Sequence, residues 1–470
     1  MKVMKERRLD SINRVVDGWL RRSMRFFWMG IGGVLFVFLQ SYAQYYFFYI
    51  EQNQFFQNSW PYLTEHLFKP GGLAFILSGF CLQFFLMPSA GAAITALLLT
   101  GVGWLTSCII RQISPQSGLL PSCLLPVIAL MLIHFNANYL FSGTIAFLLM
   151  LTAIHFSLKV RDFNRRLICH FLMTLILFYS AGSIYVLYTL TVAIYELLMG
   201  NSFRRYFSLL VIGEAVLIGL AGVYLTVYAQ YRFAFLPDSY FHFKWLPGTL
   251  LYLSWISLLL LVTVACLTRK SNIRSFMLQV VLITAGCWLG IRTYGLGANV
   301  NVMELDYYCR TEQWDKLLER SKQSPDDFLS VCYANIALLQ KGELADKAFA
   351  NHQTGRDGLI IPWDKSVYSS MLLSDIYFAL NEPALSQKMA FEVFVISGNP
   401  RMVKRLVQTN LIFGAYPVAE KYIRLLENGF GYRGWAQKHR TFLSNDAAIE
   451  TDEILGKKRR TLPENNDMFK

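Results

Sequence analysis

Charge is what this sequence has least of: only 16% of its 470 residues are Asp, Glu, Lys or Arg, where an ordinary globular chain carries roughly 25%. With 54% hydrophobic residues beside it, that shortage excludes a disordered regulator and argues against a purely cytosolic enzyme. Paired cysteines are missing too. Eight are scattered without a single CxxC, which argues against both a secreted disulfide scaffold and a zinc ribbon. No phosphate-cradling glycine loop and no nucleophile elbow occurs, so nothing points to a cofactor or a metal. His134, His155 and His170 stand too far apart to form a metal motif and read as hydrogen-bonded packing or interface residues.

The few charges are unevenly placed. Up to Tyr294 there are 22 Lys+Arg against 9 Asp+Glu, and beyond it 22 of each. The whole +13 excess therefore lies among apolar runs, where a membrane protein needs cations in its cytoplasmic loops, and not on a face that follows a nucleic-acid backbone. Cys81, Cys108, Cys123, Cys169, Cys266 and Cys287 fall in those runs and read as small packing hydrophobes. Cys309 and Cys332 lie in the balanced tail and can pair if it faces an oxidising compartment.

A spanning helix needs about 20 mostly apolar residues. Spans are expected near 24–48, 71–88, 90–110, 138–158, 167–181, 183–199, 207–229, 249–268 and 275–293. The stretch 119–134, broken by Pro121 and Pro126, reads as re-entrant, which leaves nine crossings; counting it gives ten. Eight Lys and Arg in the first 25 residues place the N-terminus in the cytoplasm, and the basic loops 159–166, Arg204 with Arg205, and 269–274 follow it there. The tail after Tyr294 then falls outside. Residues 1–22 carry Leu9, Ile12, Val16, Trp19 and Leu20 at helical spacing among charges, the pattern of an amphipathic helix at the cytoplasmic interface.

After residue 300 a local pattern recurs around Lys316, Lys347, Lys388 and Lys421, separated by 31, 41 and 33 residues. Such periods belong to stacked helix pairs, 34 being that of tetratricopeptide repeats, and the inserted GRDGLIIPWD (355–364) accounts for the 41. The recurrent lysines read as a solvated face. Small residues Ala345, Ser386 and Ala419, two positions before a lysine, suit close helix approach. The expected fold is all-α: a polytopic membrane bundle of 9–10 spans (23–294), a tetratricopeptide-like domain (300–455) and a charged flexible tail (456–470).

Two functions compete. A scaffold would present the extracytoplasmic repeats to a protein partner, with Tyr333, Asn335, Tyr377 and Asn410 on first helices expected to line its concave face. A membrane sugar transferase would use Glu51, which ends the first span and opens a loop also holding Glu65, His66 and Lys69. In its cytoplasmic N-terminus, its acid in the first outer loop and its many spans, the chain resembles multi-pass glycosyltransferases acting on lipid-linked sugars. That resemblance implies a lipid-linked sugar substrate and a catalytic proton acceptor at Glu51, although the usual adjacent second acid is missing. Glu196 and Glu214 are expected to pair with Arg204 and Arg205. A transporter fits less well, because no span presents repeated acids or broken helix pairs.

The segments LLSDIYFAL, NPRMVKRLVQTNLIFGAYPVAEKYI and LENGFGYRGWAQKHRTFLSND are similar to a family of uncharacterised multi-pass membrane proteins of Bacteroidota, most densely over residues 304–465. The likeness implies an inner-membrane protein with its tail in the periplasm, in contact with membrane lipid, and supplies no activity.

Overall fold

A computed structural model describes residues 2–115, 118–160, 162–200, 202–225, 227–242, 246–268, 273–297, 299–325, 327–348, 353 and 355–462, with the backbone alone at 2–23, 163, 202–205, 273 and 356. Among these residues every regular element is helical, apart from one isolated antiparallel bridge between Tyr139 and Phe241. The side chains expected to make residues 1–22 amphipathic lie outside the described residues, as does most of the charged tail, 463–470.

Five described helices are long and apolar enough to cross a membrane: Met24–Asn53, Ala90–Ile113, Tyr206–Tyr224, Thr249–Leu267 and Arg274–Tyr294. Four of the expected crossings are not among them. Gly72–Leu86, Ser142–Ser157 and Tyr185–Met199 are shorter apolar helices. At 1.5 Å per residue a helix of 15 or 16 residues reaches ~24 Å, short of the roughly 30 Å hydrocarbon core. The fourth, Phe163–Ala181, carries Arg165 and Arg166 in its first turn and stands outside both groups. The proline-broken stretch forms a short helix, Pro121–Ile133, with Pro121 and Pro126 both buried, so protein surrounds the interrupted backbone.

The chain divides into two compact units. The first comprises Met1–Gln44, Thr64–Ser78 and Ala92–Leu296, and the second Tyr45–Leu63, Gly79–Gly91 and Gly297–Lys470. The first helix, Lys2–Ile50, contributes to both. Its helical backbone is interrupted at Ala43 (φ −128°, ψ 17°), one residue from the division.

In the first unit, small residues set how closely helices meet. A Cβ at Gly103 would lie 2.1 Å from the buried Trp28 ring, whose Nε1 donates to Ser107 at 3.0 Å. Several polar groups buried in this unit find partners within it. Arg166 pairs with Glu196 at 2.9 Å, with both side chains buried. The expected pairing of Glu196 and Glu214 with Arg204 and Arg205 involves side chains that lie outside the described residues. His134 bonds Thr144 (2.8 Å), His155 bonds Gln112 (2.8 Å) and His170 bonds Tyr188 (2.7 Å), so each histidine has a hydrogen-bond partner.

In the second unit the helices Asn299–Arg310, Trp314–Ser321, Phe328–Lys341, Leu344–Lys347, Val367–Ala379, Pro383–Ser397, Pro400–Ile412, Tyr416–Glu427 and Arg433–Arg440 pack each on the next, except that Val367–Ala379 packs on Phe328–Lys341 rather than on the short Leu344–Lys347. Lys316, Lys347, Lys388 and Lys421 fall on the second member of successive pairs and are all exposed. The close approach expected at Ser386 is present. Ser374 and Ser386 exchange hydroxyl-to-carbonyl bonds of 2.9 and 2.8 Å across neighbouring helices. Ala419 is likewise buried, whereas Ala345 is exposed on a helix of only four residues. All eight cysteines are free, Cys309 and Cys332 included.

Candidate functional site

The candidate site lies in the second unit and is built largely from one helix. Asn399 caps Pro400–Ile412 by accepting from the Met402 amide at 3.2 Å, and Pro400 occupies the first turn, where its missing N–H costs nothing. The apolar positions Met402, Val403, Leu406, Val407 and Leu411 are buried. Helical spacing puts Arg401, Lys404, Arg405 and Gln408 together on another face, and all four line a cavity of about 410 Å³. Lys458 and Arg310 add two more cations to its wall, with Asp375, Glu312, Phe378, Tyr432 and Trp435 around them.

Charges in this wall are partly matched. Arg401 donates to Asp306 at 2.8 Å and to Asp375, and Arg405 donates to Asp375 at 2.9 Å. Burial works to raise the Asp375 carboxyl, but the two guanidiniums outweigh it and hold it below the usual carboxylate range. Arg310 reaches Glu51 at 3.4 Å and donates to the Phe48 carbonyl at 3.1 Å. Three arginines therefore face three carboxylates. The two lysines do not share in this balance. Lys404 stands 4.9 Å from the Trp435 ring with no carboxylate at ion-pair distance among the described residues. Lys458 donates to two uncharged acceptors, the Phe378 carbonyl and Asn381 Oδ1. Burial and neighbouring cations pull both amines down to about 8. Arg405 lies 3.5 Å from the Phe378 ring centroid, and its Nε is buried with no hydrogen-bond acceptor among the described residues.

Glu51 lies behind this wall, 2% exposed. Tyr432 donates to its two oxygens at 2.7 and 2.9 Å, so the carboxylate ties Arg310 and Tyr432, both cavity-lining, to the turn that follows the first helix. Burial and the neighbouring carboxylate push the Tyr432 phenol well above its ordinary value, keeping it a donor. Glu65 takes no part; it pairs on the surface of the first unit with Lys69 at 3.0 Å.

The four residues expected to meet a partner face inward. Tyr333 is buried and donates to Asp306 at 3.1 Å. Asn335 is buried and donates at 2.8 Å to Gly358, so it holds the inserted loop against its own helix. Asn410 is buried and bonds the Leu406 carbonyl at 2.7 Å. Tyr377 is half-buried and packs against the core. None of the three buried side chains offers a surface to a protein partner, because first helices here turn their polar residues onto neighbouring segments. The lining cations went unnoticed in the sequence, although Arg401, Lys404, Arg405 and Gln408 at spacings of three, one and three within a capped helix carry a readable signal. Among the described residues no three His, Cys, Asp or Glu side chains gather as metal ligands.

The fold defines a helical protein with several membrane-length apolar helices and a second helical unit containing a cationic cavity. The chain belongs to a family of unknown function, DUF6057, whose model matches residues 19–470. No curated protein and no solved structure matches it.

Proposed function

We propose that this is a multi-pass inner-membrane protein whose C-terminal helical unit, carried on the extracytoplasmic side, binds a small anionic ligand in the cavity beside Lys404. The observation that carries this reading is the charge imbalance of the wall: three arginines meet three carboxylates, Lys404 and Lys458 have no carboxylate at ion-pair distance among the described residues, and Glu312 farther along the wall offsets only one of these two lysines around about 410 Å³ of space. Buried cations are normally paired, and an anion in the cavity would supply the missing charge. The size falls within the roughly 300–1,000 Å³ of ligand pockets.

A scaffold for a protein partner draws less support, since three of the four residues that would carry it are buried. The sugar-transferase alternative would have Glu51 accept a proton from a hydroxyl. Both oxygens instead accept from Tyr432, and one also faces Arg310, so the geometry favours a positioning role.

The test is ligand-induced stabilisation of the full-length protein in nanodiscs. Phosphate, sulfate and citrate at constant ionic strength should raise its unfolding temperature where chloride does not, through binding to the folded state. Lys404→Met, which keeps the stem over Trp435, should reduce the shift. Equal responses to all four anions, or an unchanged response in the variant, would refute the reading.

A further inference from the structure

The anion-binding reading leaves open what the anion is, and the following rests on it. The cavity wall presents two ammonium groups with no carboxylate at ion-pair distance among the described residues, Glu312 lying farther off in the same wall, and the Arg405 guanidinium, whose Nε has no acceptor among the described residues. These three donors come from two helices, Pro400–Ile412 and Leu455–Arg460. A carboxylate offers only two oxygens to these three donors. A phosphate monoester carries nearly two negative charges at neutral pH and has three equivalent oxygens to accept from separate directions.

Volume adds a second constraint. A water molecule takes roughly 30 Å³, and a bare phosphate only a small multiple of that, so most of the 410 Å³ would stay empty around an inorganic ion. Beside the polar side chains of Glu312, Gln340 and Gln408, the wall holds the aromatic and apolar Phe48, Leu86, Trp314 and Trp435. Trp435 is itself held in place by stacking on His439, with ring centroids 3.5 Å apart. Such a surface suits the flat face of a ring-sized body.

We infer that the cavity binds a phosphate monoester carried on a ring-sized organic body, the phosphate held by Lys404, Lys458 and Arg405 and the body lying against Trp435. Soluble sugar phosphates and the headgroup of a phosphomonoester lipid share this chemistry.

Calorimetry on the full-length protein in zwitterionic nanodiscs distinguishes the possibilities. Glucose 1-phosphate should bind about tenfold or more tighter than inorganic phosphate, and glucose should not bind. Lys404→Met should weaken glucose 1-phosphate about tenfold, the loss of one charge-assisted hydrogen bond. Lys404→Gln, which shortens the stem, should do at least as much, with an unfolding temperature near wild type confirming that each variant is folded. Affinity should also fall as pH rises through about 8, where both amines lose their protons. Displacement of glucose 1-phosphate when phosphatidylinositol 4-phosphate, whose headgroup is a phosphate monoester on a ring, is added to the nanodisc would assign the lipid as the source; its absence would assign a soluble ligand. Citrate binding without phosphate binding would overturn this inference and leave the anion reading standing, whereas no response to any anion would overturn both. Glucose 1-phosphate binding no tighter than phosphate would refute the ring-sized body.

Discussion

Replacing Glu51 with Gln separates a structural tie from a catalytic base. The side chain keeps its shape and can still accept from Tyr432, so what is lost is the negative charge facing Arg310. Glu51 is 2% exposed and the Arg310 side chain 9%, at 3.4 Å. Breaking a buried ion pair by removing one partner costs about 3–5 kcal/mol, because the other charge is left without compensation. Arg310 would keep its bond to the Phe48 carbonyl and its place 4.3 Å from the Phe48 ring, which puts the expected loss near the lower figure, about 3 kcal/mol. For a unit of this size each kcal/mol moves the midpoint by about 2–4 °C, so a fall of about 6–12 °C is expected. Cys309 and Cys332 are buried in the second unit, and the temperature at which they become reactive to a thiol reagent, read by peptide mass spectrometry, reports unfolding of that unit. The double variant Glu51→Gln with Arg310→Met removes both charges while keeping an acceptor for Tyr432 and should recover most of the loss. An unchanged midpoint in Glu51→Gln would refute the structural role.

Three further outcomes follow from the same structure. Lys404 and Lys458 hold folded-state values of about 8 against an ordinary 10.5, so the unfolded chain binds more protons between those values and ligand-free stability should rise with pH from about 8 to 10.5; a fall across that window, measured by denaturant titration, would contradict their burial as ammonium groups. Gly103→Leu should prevent close packing against Trp28, whose ring would lie 2.1 Å from even the first added carbon, and should lower the yield of folded protein on size-exclusion chromatography; a normal yield would refute that packing. Alkaline phosphatase fused after residue 300 should be active and after residue 163 inactive, and the reverse pattern would invert the proposed topology.

The helical class was legible because the apolar runs and the 3.6-residue spacing after residue 300 depend on local sequence alone. Helix positions followed from the same signal, and so did the exposed lysines of the second helices. Crossing number was less legible, since an apolar run of 16 residues can be a buried helix as easily as a short span, and only the helix ends distinguish them. The site was legible in part. Glu51 stood out as an acid beside a span, but its partners lie 259 and 381 residues away, and no local pattern announces pairing over such distances. Tyr333 and Asn335 occupy the helices expected, yet face inward, because the loop 355–364 and Asp306 supply their hydrogen bonds.

The same long-range pairing explains why the cavity stays cationic. Each arginine of the wall meets its carboxylate from a different segment: Glu51 from the turn after the first helix, Asp306 from Asn299–Arg310, and Asp375 from Val367–Ala379. These pairs hold four parts of the second unit together, and in doing so they neutralise the guanidiniums without filling the space between them. Lysine suits the remaining positions for a physical reason. An ammonium on a flexible stem can stay partly hydrated or lose its proton when no anion is present, whereas an unpaired buried guanidinium can do neither. A wall made of paired arginines and unpaired lysines thus tolerates being empty and gains charge compensation when an anion enters. On this reasoning Lys404→Arg should bind anions in the same cavity but lose stability without them, and comparing unfolding temperatures of Lys404→Arg and wild type with and without phosphate measures both effects. A Lys404→Arg protein as stable as wild type in the absence of anion would show that the lysine is not chosen for its ability to stand alone.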